Sequence, residues 1–134
     1  MPDLSRSFEL PGLTVRLDHL GYHLEREKAP PDTPHLFIYF LTISNESDRT
    51  VTLLARKWVL TFEDGSRQVF EGDKIVGETP TLAPLEQFTY NSFHLVGTNA
   101  EAEGAFFGLD RSGQRVHTKI PRFELIIPPT HEAH

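Results

Sequence analysis

Cysteine is absent from the 134 residues of this chain. Disulfide scaffolds, thiolate metal centres and cysteine nucleophiles are therefore excluded, and an intracellular setting is permitted. Long apolar runs are missing as well. The longest, "LFIYFL" at 36–41, is far below the roughly 20 residues that a membrane-crossing helix needs. The opening "MPDLSRSFEL" lacks a basic segment followed by an apolar one, so no secretory signal and a cytoplasmic location are expected. Basic residues are outnumbered, 13 against 19 acidic, and the net charge of -6 disfavours bulk attraction to nucleic acid or anionic membrane. Helical periodicity is nearly absent too. The best candidate, "GTNAEAEGA" at 97–105, is short and bounded by glycine.

What the chain does contain is alternation with a period of two. Leu13, Val15 and Leu17 alternate with Thr14, Arg16 and Asp18, as in a half-buried strand. "APPDTP" (29–34) breaks the backbone ladder, because proline has no N–H to donate. "HLFIYFLTISN" (35–45) is apolar on both faces and predicts a central strand covered on each side. After the turn "NESDRT" (45–50), "VTLLARKWVLTF" (51–62) predicts another long strand, and Asp64-Gly65 carries a hairpin signal into "SRQVFEG". "EQFTYNSFHL" (86–95), "GAFFGL" (104–109) and "RVHTKIPRFELII" (115–127), the last two joined at Ser112-Gly113, complete about seven strands. That count and spacing predict an all-β, immunoglobulin- or fibronectin-type-III-like sandwich of antiparallel strands. One domain over 1–134 is expected, with a core from about 10 to 127 and a frayed tail at 128–134.

"EGDKIVGETP" (71–80) approaches the phosphate-cradling pattern G-x-x-x-x-G-K-[ST] at Gly72 and Gly77. A nucleotide loop needs a lysine on the phosphates and a helix whose N-terminus faces them. Glu78 occupies the lysine position, and Pro80 with Pro84 would break the helix. The remaining readings are a weaker anion site and a glycine-punctuated connection crossing between the sheets.

Several segments together resemble the ApaG domain family: "FIYFLTISN", "VTLLARKWVLTFEDG", "EGDKIVGETPTLAPLEQFTY" and "VHTKIPRFELIIP". In that family the second segment commonly reads arginine-histidine-tryptophan, where this chain has Arg56-Lys57-Trp58. The third usually carries G-x-G-x-x-G, then glutamate, a variable residue and proline. Gly72, Gly77, Glu78 and Pro80 match, and Lys74 replaces the middle glycine. The resemblance implies a fibronectin-type-III or immunoglobulin-like sandwich and no enzymatic activity. It further implies an association with cobalt resistance and magnesium efflux, protein binding where the domain is appended to eukaryotic F-box or polymerase-associated proteins, and phosphate or pyrophosphate binding at the glycine loop. Lysine at position 74 would hinder backbone approach to an anion while adding a positive charge, and Glu71, Asp73 and Glu78 would offset that charge.

On a strand, Arg56 and Trp58 share one face while Lys57 points away. Trp58, the single tryptophan, is expected in the core with Arg56 reaching its rim, or else stacked with Arg56 as a cationic contact for a partner. His19 and His23 would lie about 13 Å apart on a strand, too far to chelate one ion, and "HEAH" (131–134) lacks zinc-helix spacing. No G-x-S-x-G elbow occurs. The expectation is a module without catalytic residues, metal or cofactor, possessing a candidate surface of Arg56, Lys57, Gly72, Lys74, Gly77 and Glu78. Its occupant would be a protein partner, including a second copy through an exposed edge strand, or alternatively phosphate or pyrophosphate.

Overall fold

A computed structural model describes residues 6–129, so the "HEAH" histidines lie outside the described residues. Nine strands follow in order: β1 (Phe8–Glu9), β2 (Leu13–Leu24), β3 (His35–Asn45), β4 (Val51–Phe62), β5 (Arg67–Asp73), β6 (Thr81–Leu82), β7 (Gln87–Val96), β8 (Ala100–Asp110) and β9 (Arg115–Leu125). Seven are long and correspond to the expected set, while β1 and β6 are two-residue additions. Among the described residues there is no α-helix, and no helix long and apolar enough to cross a membrane.

The two layers are a sheet ordered β1-β9-β8-β4-β5, with β6 also on β4, and a smaller sheet ordered β2-β3-β7. Every pairing is antiparallel except β1 with β9. Leu41, Ile43, Leu53, Leu60, Phe106 and Leu125 are fully buried between the layers. Along one flank the sandwich is tied shut, since Thr118 Oγ1 on β9 donates 2.7 Å to the Leu13 carbonyl of β2. The opposite flank is formed by β5 and β7, the outermost strands of their sheets.

Local chemistry explains the sharp turns. Asp64 accepts from Ser66 N and Oγ at 2.9 and 2.6 Å, and Gly65 takes φ +86° to reverse the chain between β4 and β5. Asp110 does the same for Ser112 and Gln114 between β8 and β9, and those donors with Arg49 hold its carboxyl below the usual range. Buried Asn45 pins the 45–50 turn: its Nδ2 donates to the carbonyls of Arg49 and Leu82, and its Oδ1 accepts from Ser47 N and Oγ.

Three expectations are corrected. The strand expected over 104–109 begins earlier, at Ala100, after a bend at 97–98. Ala100 and Ala102 face inward while Glu101 and Glu103 pair outward with Arg122. Pairing with β4 and β9 on both sides overrides the helix preference of alanine and glutamate. β3 is central in its sheet, yet only its inner face is fully covered; Leu36, Ile38 and Phe40 on the outer face stay half-buried. Residues 72–77 do not cross between the layers. Lys74 N donates 2.6 Å to the Leu54 carbonyl and Leu53 N donates 2.9 Å to the Pro80 carbonyl, so the loop leaves and rejoins the same edge of β4 around its bulge at Leu54. The crossing occurs at 83–86, where Leu85 N donates to the Asn45 carbonyl at 2.6 Å.

Candidate functional site

The loop from Glu71 to Pro80 is fastened from beneath. Arg56 on β4 stands opposite Gly72 on β5 and Phe106 on β8, and therefore points to the inner face, as Trp58 does. Its Nη1 donates 2.6 Å to the Asp73 carbonyl and 3.0 Å to the Lys74 carbonyl. A Cβ at residue 72 would come within 2.8 Å of that guanidinium, so glycine is what lets Arg56 lie against the strand. Ile75 is buried in the core and roots the loop, and Ile75 N donates 2.9 Å to the Glu78 carbonyl across its neck.

Lys74 has φ +68°, a left-handed conformation in which glycine is less strained than lysine. Gly77 has φ +77° at the exposed tip. The Lys74 side chain is exposed and makes no ion pair among the described residues. Lys57 is on the outer face beside Glu71, with Nζ 3.9 Å from the carboxylate, as its alternation with Arg56 predicted. The structure thus brings Arg56, Gly72 and Lys74 together. Gly77 and Glu78 form the tip, and Lys57 belongs to the other side of the sheet.

Sequence reasoning missed what lies next to Arg56 on the inner face. Between β5 and β7 the open flank holds a cleft of about 400 Å³. Gln68 and Phe70 form one wall, Ser92 to Leu95 the other, and Tyr39, Arg56 and Trp58 the base, with Thr33 at the edge. The base is aromatic and tightly built: Trp58 lies 4.8 Å from Tyr39 and 4.8 Å edge-on to His94, while Phe70 stacks on His94 at 6.0 Å. Trp58 is 2% exposed, as expected for a core tryptophan.

Burial pushes the His94 pKa from 6.5 down to about 4, so the imidazole is neutral at pH 7. Burial also raises the Tyr39 pKa, partly offset by the Ser92 hydroxyl and by the charge of Arg56. The Tyr90 hydroxyl is pushed up by burial and by neighbouring Tyr39, with Arg56 acting the other way. His94 Nε2 and Tyr90 Oη are both buried without a hydrogen-bond partner. One sequence signal pointed here: Phe88, Tyr90, Ser92 and His94 recur at every second position and form the inner row of β7.

The family model described as the ApaG domain matches residues 25–107, which include Arg56, the whole loop and every described residue lining the cleft. The chain belongs to the ApaG family. Protein ApaG of Deinococcus radiodurans is 40% identical over 120 residues, 89% of this chain and 91% of that protein. Protein ApaG of Shewanella pealeana is 34% identical, covering 86% and 92% of the two chains. A crystal structure of a Bordetella pertussis ApaA protein superposes with a TM-score of 0.75 at 26% identity, over 92% of this chain and 99% of that one. A further X-ray structure of a structural-genomics target gives 0.76 at 27%, over 87% and 88%. The sandwich is thus shared by chains with different amino acids at most aligned positions. Among the described residues no three histidine, aspartate or glutamate side chains converge as metal ligands.

Proposed function

We propose that this ApaG-family chain is a non-catalytic binding module whose partner is a protein segment in extended conformation, added as a strand to β5. The observation that carries the reading is the state of that strand. β5 is the outer edge of its sheet, contains no proline, and presents Val69 at 53% exposure beside Phe70 at 40%. Ser66 O and Lys74 N both bond to β4, so alternation along an antiparallel ladder turns the N–H groups of Arg67, Val69, Glu71 and Asp73 outward. Arg56 and the rooted loop hold the end of that edge in place, and Lys74 stands beside it as an exposed cation. Main-chain pairing would give affinity, and the flanking charges would select register.

At the 72–77 loop this reading is favoured over an anion receptor. The Lys74 and Ile75 amides are already occupied by the Leu54 and Glu78 carbonyls, and Lys74 is the only basic residue within 71–80. In this reading the family's association with cobalt and magnesium runs through the partner. A second copy is an alternative partner, because antiparallel pairing of two β5 edges about Val69 would set Arg67 opposite Glu71.

The test is affinity capture from the native host with wild type, Val69→Pro, and a variant altered at Arg56, Lys57 and Lys74. Proline at 69 removes an outward N–H and leaves the β4 ladder intact. Loss of the same captured protein in both variants is expected. Light scattering separates the second copy, which would give a dimer that Val69→Pro dissociates. A protein still captured by Val69→Pro at wild-type yield would refute strand addition at β5.

A further inference from the structure

The cleft between β5 and β7 is separate from the outward hydrogen-bonding edge of β5, and its chemistry is different. Among the described residues Arg56 is the single charged side chain lining it, in a chain whose net charge is -6. No carboxylate of a described residue lines the space. A cation in a partly desolvated recess without a counter-charge favours an anion there. The guanidinium uses Nη1 for the two loop carbonyls, and its other N–H groups make no hydrogen bond with a described residue. His94 Nε2 adds a second polar atom, buried and unpartnered, in the cleft's inner wall. The His94 nitrogen, left unpaired at this depth, is costly unless something binds it.

The remaining surface is aromatic. Phe70, at 40% exposure, forms the accessible aromatic wall above the buried rings of Tyr39 and Trp58 at the base. Such walls recognise the flat face of a ring, which a bare phosphate or pyrophosphate does not have. The volume of about 400 Å³ is at the small end of ligand sites and suits a molecule of one or two rings.

We propose that this cleft binds a small planar organic anion of the aromatic carboxylate class, with its ring against the open face of Phe70 and its carboxylate on Arg56. Binding needs the inner face of β5 and not its outward N–H groups, so it is independent of strand addition.

Trp58 supplies the readout, being the only tryptophan and part of the cleft base. Benzoate and indole-3-carboxylate are titrated into the full chain, with benzamide and pyrophosphate as neutral and ring-free controls. Binding is followed by Trp58 fluorescence for benzoate, benzamide and pyrophosphate, and by calorimetry for all four. A saturable response to the carboxylates is expected, with benzamide and pyrophosphate at least about tenfold weaker. Arg56→Gln should remove the response. Because Arg56 also holds the loop, Gln68→Glu is the second variant: it puts a carboxylate on the exposed wall and should weaken binding by about tenfold or more. Val69→Pro should bind as wild type does. The proposal is overturned by no saturable signal at millimolar carboxylate, by benzamide or pyrophosphate binding equally well, or by unchanged affinity in Gln68→Glu.

Discussion

His94 makes the stability of this sandwich depend on pH within a definite window. Its side chain is 7% exposed and packed among the rings of Tyr39, Trp58 and Phe70. In the unfolded chain it protonates near 6.5, whereas burial holds the folded value at about 4. The unfolded state therefore binds more protons between these two values, and stability falls as the pH is lowered through them. The whole gap corresponds to roughly 3 kcal/mol, of which about 2 kcal/mol is lost between pH 7 and pH 5. For a domain of this size that is a drop of roughly 7 °C in melting temperature. His94→Phe keeps a ring of similar size and has nothing to titrate. Urea unfolding of both proteins at pH 7 and pH 5 should show wild type losing about 2 kcal/mol and the variant much less. His117, whose pKa is also lowered mainly by its burial, leaves a smaller decline of the same sign in the variant. Asp18, Asp64 and Asp110 have carboxyls held below 3.8, so the stability they add is lost only at lower pH and does not blur the window. Equal losses in the two proteins, or an NMR titration placing His94 near 6.5, would refute the reasoning.

Gly72→Ala should displace the Arg56 guanidinium from the Asp73 and Lys74 carbonyls and cost about 1–2 kcal/mol, yet be nearly neutral once Arg56→Ala is present; chemical denaturation of the four proteins in that cycle measures the coupling. Lys74→Gly relieves the φ of +68° and should stabilise by about 1 kcal/mol in the same assay, whereas a loss of stability would mean that the left-handed conformation costs little. Asn45→Ala leaves the Arg49 and Leu82 carbonyls without their donor in a buried turn and should cost about 2–3 kcal/mol, with faster amide exchange at Ser47 and Leu85.

The parts of this fold that were legible are those encoded over a few residues. Asp64-Gly65 and Ser112-Gly113 carry their turn chemistry locally, and the alternation of Arg56, Lys57 and Trp58 assigns their faces without reference to the rest of the chain. The start of β8 was hidden because alanine and glutamate favour helix locally, while the two strands that flank it are distant in sequence. The path of residues 72–77 depended on a bulge at Leu54, for which a single strand gives no signal. Fewer cues still marked the cleft, whose lining comes from β3, β4, β5 and β7.

One contrast between the two flanks accounts for the cleft and for the residues gathered in it. At β2 and β9 the layers meet through a buried hydrogen bond from Thr118 to the Leu13 carbonyl, with apolar neighbours on both strands. The inner row of β5 is Gln68, Phe70 and Gly72: one polar side chain, one ring and none. That row meets β7 only through Phe70 stacked on His94, so the layers stay apart on either side of that contact. The absent side chain at Gly72 admits the Arg56 guanidinium, and the gap above Phe70 leaves His94 and Tyr39 facing the opening. A bulky apolar residue at position 68, such as Gln68→Phe, would fill part of this space and strengthen the sandwich while excluding a ligand. Higher stability together with lost carboxylate binding in that variant would tie the open flank to function, and unchanged binding would place the ligand elsewhere.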